Sequence, residues 1–317
     1  MPSSAEVAVA AGVSRSTVSQ ILNGHGHRFT PEMVEHVQET ASRLGYRPSV
    51  AGRALVRGTS DIVITVIPNI TFGPRLRELI DLITAELALA GITNLLRFAT
   101  SEAALEDAIL GLRPRGLWSV APIPPQQRAR LEAEGVTVIE QSQELQVDID
   151  HEIGALQAAH LASRGYQGVV VSMPLDLREQ PFAIAREEGA RAWCQSHGVP
   201  NFSTLHLDLT EVGVREVASA LPPPRVGIAA YNDEVALAMM SAASLANRDV
   251  PESLGIVGVD DSTIARIAVP TLTTVTLDVE FSAHEIVRGL LEGPEMMPTD
   301  PLPEVAKHLR VVQGGSS

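Results

Sequence analysis

The chain has 317 residues, of which 45% are apolar and 20% charged, and its formal net charge is −14. This length and apolar content predict more than one hydrophobic core, and the single cysteine, Cys194, excludes an internal disulfide framework and is typical of a reducing compartment. No stretch of about 18 uninterrupted apolar residues occurs, and the N-terminus lacks the basic-then-apolar order of a signal peptide, so we expect a soluble, cytoplasmic protein.

The first 23 residues predict two short, crossed helices. Ser3 and Glu6 have the spacing of a capping box for a first helix over residues 5–11, and Gly12 supplies the turn before a second helix. Apolar residues pack the pair together, while polar side chains face outward, as in a helix that reads base edges in the DNA major groove. An ordinary amphipathic helix pair is the alternative for this segment alone. The side chains predicted to contact DNA are Ser14, Arg15, Ser16, Thr17, Ser19, Gln20 and Asn23.

A third helix and a short connecting segment follow. Thr30 as N-cap and Pro31 at the first helical position predict a helix over residues 31–44, with its apolar side chains on one face. Residues 49–58 then form a short segment that carries Arg53 and Leu55.

The ordered combination of AGVSRSTVSQILNG, RLGYRPS and AGRALVRG resembles the DNA-binding headpiece and hinge of the LacI/GalR (lactose-repressor) family of bacterial transcription regulators. The resemblance implies that paired hinge helices enter the minor groove at the operator centre. It also implies that Leu55 wedges between base pairs there, with Arg53 close to the backbone or groove wall. A flexible linker whose Leu55 packs on the core is the alternative.

Charge is distributed unevenly along the chain. Residues 1–60 hold six arginines against four glutamates, whereas the remainder is strongly acidic. A basic end on an acidic body is typical of a protein that binds DNA through one end, because phosphate neutralisation supplies much of the affinity.

From residue 61 onward, short β-branched runs alternate with helical patterns, which predicts parallel, doubly wound α/β sheets. Strands are predicted over residues 62–67, 92–98, 116–121, 169–172, 203–207, 225–230, 255–259 and 273–277, and near 308–312. Helices are predicted over residues 74–90, 102–112, 126–134, 183–195, 212–221, 233–245 and 281–291. Because the pattern begins again at residue 169 and too little chain follows residue 270 for a third domain, we expect two lobes that the chain crosses back to complete.

The expected fold is an all-α helix-turn-helix headpiece followed by a core of two doubly wound lobes. This layout resembles the periplasmic-binding-protein-like core of the same family. We expect a headpiece over residues 1–48, a hinge over 49–60 and a core over 61–317. The first lobe is expected to comprise about 61–164 and 276–302, and the second about 165–275 and 303–317.

Three polar residues lie near the carboxyl ends of predicted strands or the starts of the next helices, which is where open α/β sheets bind ligands. Similarity to the family's motifs in FAIAREEGARAW, AYNDEVAL and IVGVDDS implies that Arg186, Asn232 and Asp260 contact the effector. Simpler roles are a salt bridge for Arg186 and helix N-caps for the other two. Their neighbours Asp233 and Asp261 are expected to serve as caps and supporting partners.

The effector is expected to be a small polar molecule. Arg75 stands where the family usually has aromatic residues, and an additional guanidinium favours an anionic or strongly polar ligand over the family's default, a sugar. Aromatic residues make up only 3% of the chain, so a stacking platform is hard to find. A solvated helix face is the alternative for Arg75.

Catalytic, cofactor and metal motifs are not found: the chain has no nucleophile elbow, Walker loop, Rossmann glycine triplet or metal-spaced ligand cluster. We therefore do not expect an enzyme. The resemblance to the LacI/GalR family implies a repressor-type regulator that binds a pseudo-palindromic double-stranded operator as a homodimer and responds to the effector. The rival interpretation is a solute-binding or sensory protein with the same two-lobed core and no DNA role.

Overall fold

A computed structural model describes residues 2–22, 26–46, 59–70, 73–98, 105–297 and 302–317. Its N-terminal part contains three helices: α1 (Ser4–Ala11), α2 (Arg15–Gln20) and α3 (Pro31–Arg43). The capping box predicted for α1 is confirmed, because the Ser3 side chain accepts from the Glu6 N–H and the Glu6 carboxylate accepts from the Ser3 N–H. Gly12 ends α1 with a φ of 66°, a left-handed conformation that glycine adopts without strain.

A small apolar core joins the three helices. Thr30 caps α3 as predicted and Pro31 is its first residue, while the headpiece core consists of Val7, Ala8, Ala11, Val18, Ile21, Val37 and Ala41. These side chains come from all three helices, so the core holds the headpiece together.

The remaining chain forms alternating strands and helices. The strands are β1 (Ser60–Ile67), β2 (Thr93–Phe98), β3 (Pro114–Ser119), β4 (Thr137–Glu140), β5 (Gly168–Pro174), β6 (Asn201–Leu207), β7 (Val226–Ala230), β8 (Leu254–Val259), β9 (Thr273–Leu277) and β10 (Leu309–Val312). The helices are α4 (Pro74–Leu89), α5 (Leu105–Leu112), α6 (Pro125–Ala133), α7 (Gln143–Ser163), α8 (Gln180–Ser196), α9 (Glu211–Ala218), α10 (Asp233–Leu245), α11 (Thr263–Ile267), α12 (Val279–Glu292) and α13 (Leu302–Ala306).

These elements build two sheets, one in each lobe. The first is parallel with the order β2-β1-β3-β4, and the second has the order β10-β9-β8-β7-β5-β6, in which only β10 is antiparallel to its neighbour. In the first lobe, α4 and α12 pack on one face of the sheet, while α5 and α6 pack on the other. The doubly wound parallel architecture expected from the alternating pattern is therefore confirmed.

The chain crosses between the lobes more than once, as the sequence predicted. Helix α12 packs on the first sheet with Ile286 and Leu290, although it follows β9 of the second sheet. Strand β10 then pairs with β9, so both lobes are completed by the last part of the chain.

One crossing differs from the expected division. Helix α7 and strand β4 were not predicted, and the range 61–164 placed residues 143–163 in the first lobe. In the structure α7 packs in the second core through Ile149, Ile153 and Leu161. Helices α7 and α8 pack in close contact. A Cβ added at Gly154 of α7 would lie only 1.9 Å from the Arg186 carbonyl oxygen of α8. In the part of the chain that is described, no helix has both the length and the apolar character needed to cross a membrane.

Candidate functional site

The predicted DNA-reading helix α2 begins at a polar cap. Ser14 is its N-cap, and the Ser14 hydroxyl accepts from the Thr17 N–H at 3.0 Å and lies 2.8 Å from the Thr17 hydroxyl. Both hydroxyls are therefore engaged in fixing the start of the helix.

The other candidate DNA-contacting side chains of α2 lie at the surface or are half-buried. Arg15 and Ser16 are exposed, whereas Ser19 and Gln20 are half-buried. The Arg15 Nε donates to the Ser4 hydroxyl at 3.0 Å, which leaves the two terminal nitrogens of the guanidinium as further donors. The Gln20 amide lies 3.4 Å from the Ser16 hydroxyl, a long contact that a DNA base can replace.

Three candidate DNA-contacting residues lie outside the described residues. Asn23 follows α2, and Arg53 and Leu55 belong to the predicted hinge. Their roles in DNA binding stay predictions from the sequence.

A cavity of about 390 Å³ lies in the cleft between the two lobes. All four predicted effector-binding residues line it: Arg75 from α4, Arg186 from α8, Asn232 between β7 and α10, and Asp260 after β8. Carboxyl ends of strands β7 and β8 meet at this edge of the second sheet, which is the physical reason that the last two residues converge.

Arg186 is held by a network inside the second lobe. The Arg186 Nε donates to the Asp150 carboxylate at 2.7 Å, its Nη1 donates to the Tyr231 carbonyl oxygen, and its guanidinium lies 4.6 Å from the centre of the Tyr231 ring. Burial lowers the pKa of Arg186, but Asp150, Tyr231 and Asp260 together more than offset this, so the net pKa is raised and the cation is secure. Arg186 therefore forms a salt bridge, as its alternative role required, and it also lies at the cavity wall.

Asn232 is the N-cap of α10, which is the alternative role that the sequence allowed for it. The Asn232 Oδ1 accepts from the Val235 N–H at 2.9 Å, which leaves the side-chain amide as a hydrogen-bond donor at the cavity wall. Asp233 is buried and supports this corner, since its carboxylate accepts from the Thr274 hydroxyl and the Ser262 N–H, each at 2.7 Å. The supporting role expected of Asp233 is confirmed by these contacts.

Asp260 occupies an unusual backbone conformation. Its φ is 109° and that of Asp261 is 49°, a positive pair that non-glycine residues adopt at a cost in free energy. Burial raises the pKa of Asp260 to about 7; Arg186 and Arg75 act to lower it, while Asp233 acts to raise it. The N-cap of α11 is Ser262, so the alternative role of Asp260 as a helix N-cap is wrong.

Arg75 enters the cavity from the first lobe. It is the second residue of α4, and its Nη1 donates to the Glu78 carboxylate at 2.5 Å. The Arg75 Nε is buried without a hydrogen-bond partner among the described residues. The Arg75 side chain is only 21% exposed, so it does not lie on a solvated helix face.

Aromatic residues converge on the cavity, contrary to the expectation from composition. The cavity is lined by Trp118, Phe182, Tyr231 and Phe281. Phe182 lies one helical turn before Arg186, and Tyr231 directly precedes Asn232, so adjacency to a motif residue was the signal available for these two. Phe281 stacks on His308 with ring centres 4.8 Å apart. No sequence signal marked Trp118 or Phe281.

The charge balance of the cleft does not favour an anion. Each arginine at its wall already has a carboxylate partner, Glu78 or Asp150, within 2.7 Å. Glu234 adds further negative charge at the same wall, and so does Asp260 in its ionised form. The site therefore suits a neutral, hydroxyl-rich ligand better than the anionic metabolite that an additional guanidinium suggested.

A two-lobed, cleft-binding core joined to a three-helix headpiece is the arrangement of a ligand-responsive DNA-binding protein. Comparison with known families is in agreement: residues 5–49 match the model of the bacterial regulatory proteins of the lacI family, and residues 158–317 match that of the periplasmic binding protein-like domain. The chain belongs to the lacI family of bacterial transcriptional regulators. The headpiece is not accounted for by the rival solute-binding interpretation.

Individual relatives extend the similarity over the whole chain. The transcriptional regulator CelR of Thermobifida fusca is 28% identical over 98% of this chain and 97% of its own. A crystal structure of the lac repressor dimer bound to operator and the anti-inducer ONPF has a TM-score of 0.73 at 19% identity, covering 98% of this chain and 97% of that one. A complex of CelR with cellobiose has a TM-score of 0.60 at 21% identity and covers both chains completely. These curated relatives are regulators of transcription.

Proposed function

We propose that this regulator binds a neutral saccharide in the cleft between its lobes and that the bound saccharide changes its affinity for operator DNA. The observation that carries the proposal is the cavity of about 390 Å³, in which hydrogen-bonding groups of both lobes lie beside aromatic rings. Its volume falls in the range typical of small-molecule sites. The cellobiose complex of a structural neighbour supports a sugar as the ligand class.

The roles of the binding residues follow from their chemistry. Arg186 retains N–H donors beyond the two that contact Asp150 and Tyr231, and Asn232 retains its amide, so both donate to sugar oxygens. Asp260 accepts from sugar hydroxyls when it is ionised. Aromatic faces cover the apolar C–H faces of a sugar ring.

Binding of this kind involves no covalent chemistry, and we propose that the protein is not an enzyme. The ligand contacts both lobes, so it changes the angle between them and, with it, the spacing of the two headpieces in a dimer. The affinities for ligand and for DNA are then coupled, typically by about 1–3 kcal/mol. This scheme places the protein in the cytoplasm, with a headpiece over residues 1–48 and a hinge over 49–60.

Two exposed apolar surfaces provide the proposed dimer contacts. On the first lobe, edge strand β2 exposes Leu96 and Phe98. On the second lobe, the α11 region exposes Ile264, Ile267 and Val269, the last of these 94% exposed. Apolar groups clustered in this way on a soluble protein mark association surfaces, and a two-fold dimer presents one headpiece to each half-site of a pseudo-palindromic operator.

The test begins with the unfolding temperature of the full chain in the presence of a panel of neutral saccharides, sugar phosphates and small carboxylates. We expect a neutral saccharide to raise the unfolding temperature, because a ligand that binds only the folded chain stabilises it. Affinity for a duplex selected from a random pool is then measured with and without that saccharide, at two salt concentrations.

A matched variant connects the ligand with the cleft. Asn232→Asp keeps the side-chain oxygen that caps α10 but replaces the amide donor, so it is expected to retain the unfolding temperature of the free protein and to lose the saccharide response. Stabilisation by anionic compounds only, or a saccharide that leaves DNA affinity unchanged, contradicts the proposal.

A further inference from the structure

A chain of side-chain hydrogen bonds crosses the floor of the cleft from one lobe to the other. The Gln141 Nε2 donates to the Gln146 Oε1 at 2.9 Å, and the Gln146 Nε2 donates to the Asp150 Oδ2 at 2.8 Å. The other oxygen of Asp150 accepts from the Arg186 Nε at 2.7 Å. We name these four side chains the glutamine relay.

The two ends of the glutamine relay are anchored in different lobes. Gln141 follows strand β4 of the first sheet, and its N–H donates to the Ser119 carbonyl oxygen of β3 at 3.0 Å. Gln146 and Asp150 lie one turn apart on α7, which packs in the second core, and Arg186 lies on α8 beside it. The contact between Gln141 and Gln146 is therefore a side-chain hydrogen bond between the lobes.

Each side chain of the glutamine relay makes a defined hydrogen bond. Both polar atoms of the Gln146 carboxamide are hydrogen-bonded. The oxygen accepts from Gln141 of the first lobe, and the nitrogen donates to Asp150. Asp150 is fully buried, so a lost donor leaves a charged oxygen unsatisfied in the interior. Asp150 must then reorient, and Arg186, which it holds, must move with it.

We infer that Gln146 is a positioning residue that makes the orientation of Arg186 depend on the angle between the two lobes. A rotation of the lobes that lengthens the distance between the Gln141 Nε2 and the Gln146 Oε1 beyond about 3.5 Å breaks this hydrogen bond. The Gln146 oxygen then loses its donor. The donors that Arg186 presents to the cavity then shift before any ligand contacts them. The consequence for effector binding rests on the proposed function, whereas the relay itself does not.

The test observes Arg186 directly. The side-chain Nε–H signal of Arg186 is recorded by nuclear magnetic resonance in the full-length protein and assigned by its disappearance in Arg186→Lys. The variants are Gln146→Met and Gln141→Met, which keep a long unbranched side chain but remove the carboxamide. Gln143→Met is the matched control, because Gln143 lies on the same helix and is exposed to solvent.

We expect Gln146→Met to shift the Arg186 signal and to accelerate exchange of its Nε hydrogen with water by about tenfold, since local opening controls such exchange. Gln141→Met is expected to produce a smaller change in the same direction, although the substitution lies in the other lobe. The double variant is expected to change no more than Gln146→Met alone, because the residues act in series. Gln143→Met is expected to leave the signal unchanged.

Each outcome decides the inference. An Arg186 signal that is unaffected by both Gln146→Met and Gln141→Met overturns it, provided that near-ultraviolet circular dichroism shows folded variants. A response to Gln146→Met without a response to Gln141→Met ends the relay at Gln146 and refutes the link between lobes. The measurement uses neither saccharide nor DNA, so its failure and the failure of the proposed function are separate results.

Discussion

Asp260→Asn is expected to stabilise the protein more strongly as the pH rises. Burial holds the pKa of Asp260 at about 7, against an ordinary value of 3.8. Between these values the folded chain keeps a proton that the unfolded chain has lost, so the free energy of unfolding falls as the pH rises through this interval and levels off above pH 7. Asparagine is neutral throughout, and it tolerates a positive φ as well as aspartate does.

The magnitude follows from the displacement of the pKa. One pKa unit corresponds to about 1.36 kcal/mol, so a displacement from 3.8 to about 7 corresponds to about 4 kcal/mol above pH 7. Because the Asp260 side chain keeps some contact with solvent at the cavity wall, screening lowers this value. We therefore expect the stability difference between Asp260→Asn and the parent protein to widen by about 2 kcal/mol from pH 5 to pH 8.

The assay is urea unfolding of both proteins at pH 5 and pH 8. Asp176→Asn is the matched control, because hydrogen bonds from Arg178 lower the pKa of the exposed Asp176 to about 2. Asp176 is thus ionised in both the folded and the unfolded chain across this range, and its removal is expected to change stability equally at the two pH values. An equal effect of Asp260→Asn at pH 5 and pH 8 would refute the burial of an ionisable carboxyl at this wall.

Four further predictions concern DNA, effector and assembly. Gln20→Ala is expected to cost about 1–3 kcal/mol at one operator base pair in competition assays with operator variants, whereas uniform weakening would show a phosphate contact. Arg186→Ala is expected to abolish the effector response and, by leaving Asp150 buried without its cation, to lower the free energy of unfolding by about 3–5 kcal/mol; adding Asp150→Asn should restore stability but not the response. Leu55→Ala is expected to weaken operator binding and to reduce DNA bending in gel-mobility measurements, and unchanged bending would identify the hinge as a tether. Ile267→Asp, at a side chain that is 72% exposed, is expected to shift the protein towards monomers in sedimentation experiments without lowering its unfolding temperature.

Local patterns in the sequence determined much of the headpiece and the positions of most strands. The caps at Ser3 and Thr30 and the turn at Gly12 depend on residues three or four positions apart, so they are visible without a fold. Asn232 and Asp260 could likewise be placed at one edge, because the ends of parallel strands coincide.

Other features of the cleft depend on contacts between distant parts of the chain. Helix α7 was missed, and with it Asp150, the partner of Arg186 that lies 36 positions earlier. The aromatic residues around the cavity come from four separate parts of the chain, so a low overall content of such residues did not reveal their concentration in one place.

The sequence by itself therefore determined the helices of the headpiece and the residues at the strand ends, since short-range caps and hydrophobic periodicity encode these features. The class of protein followed from the resemblance of its motifs to those of the LacI/GalR family. Only the tertiary structure decided which lobe α7 joins, which carboxylate neutralises Arg186, and which aromatic residues meet around the cavity. The physical reason is that burial and ion pairing depend on the packing of elements far apart in sequence, and no local pattern records which of them meet.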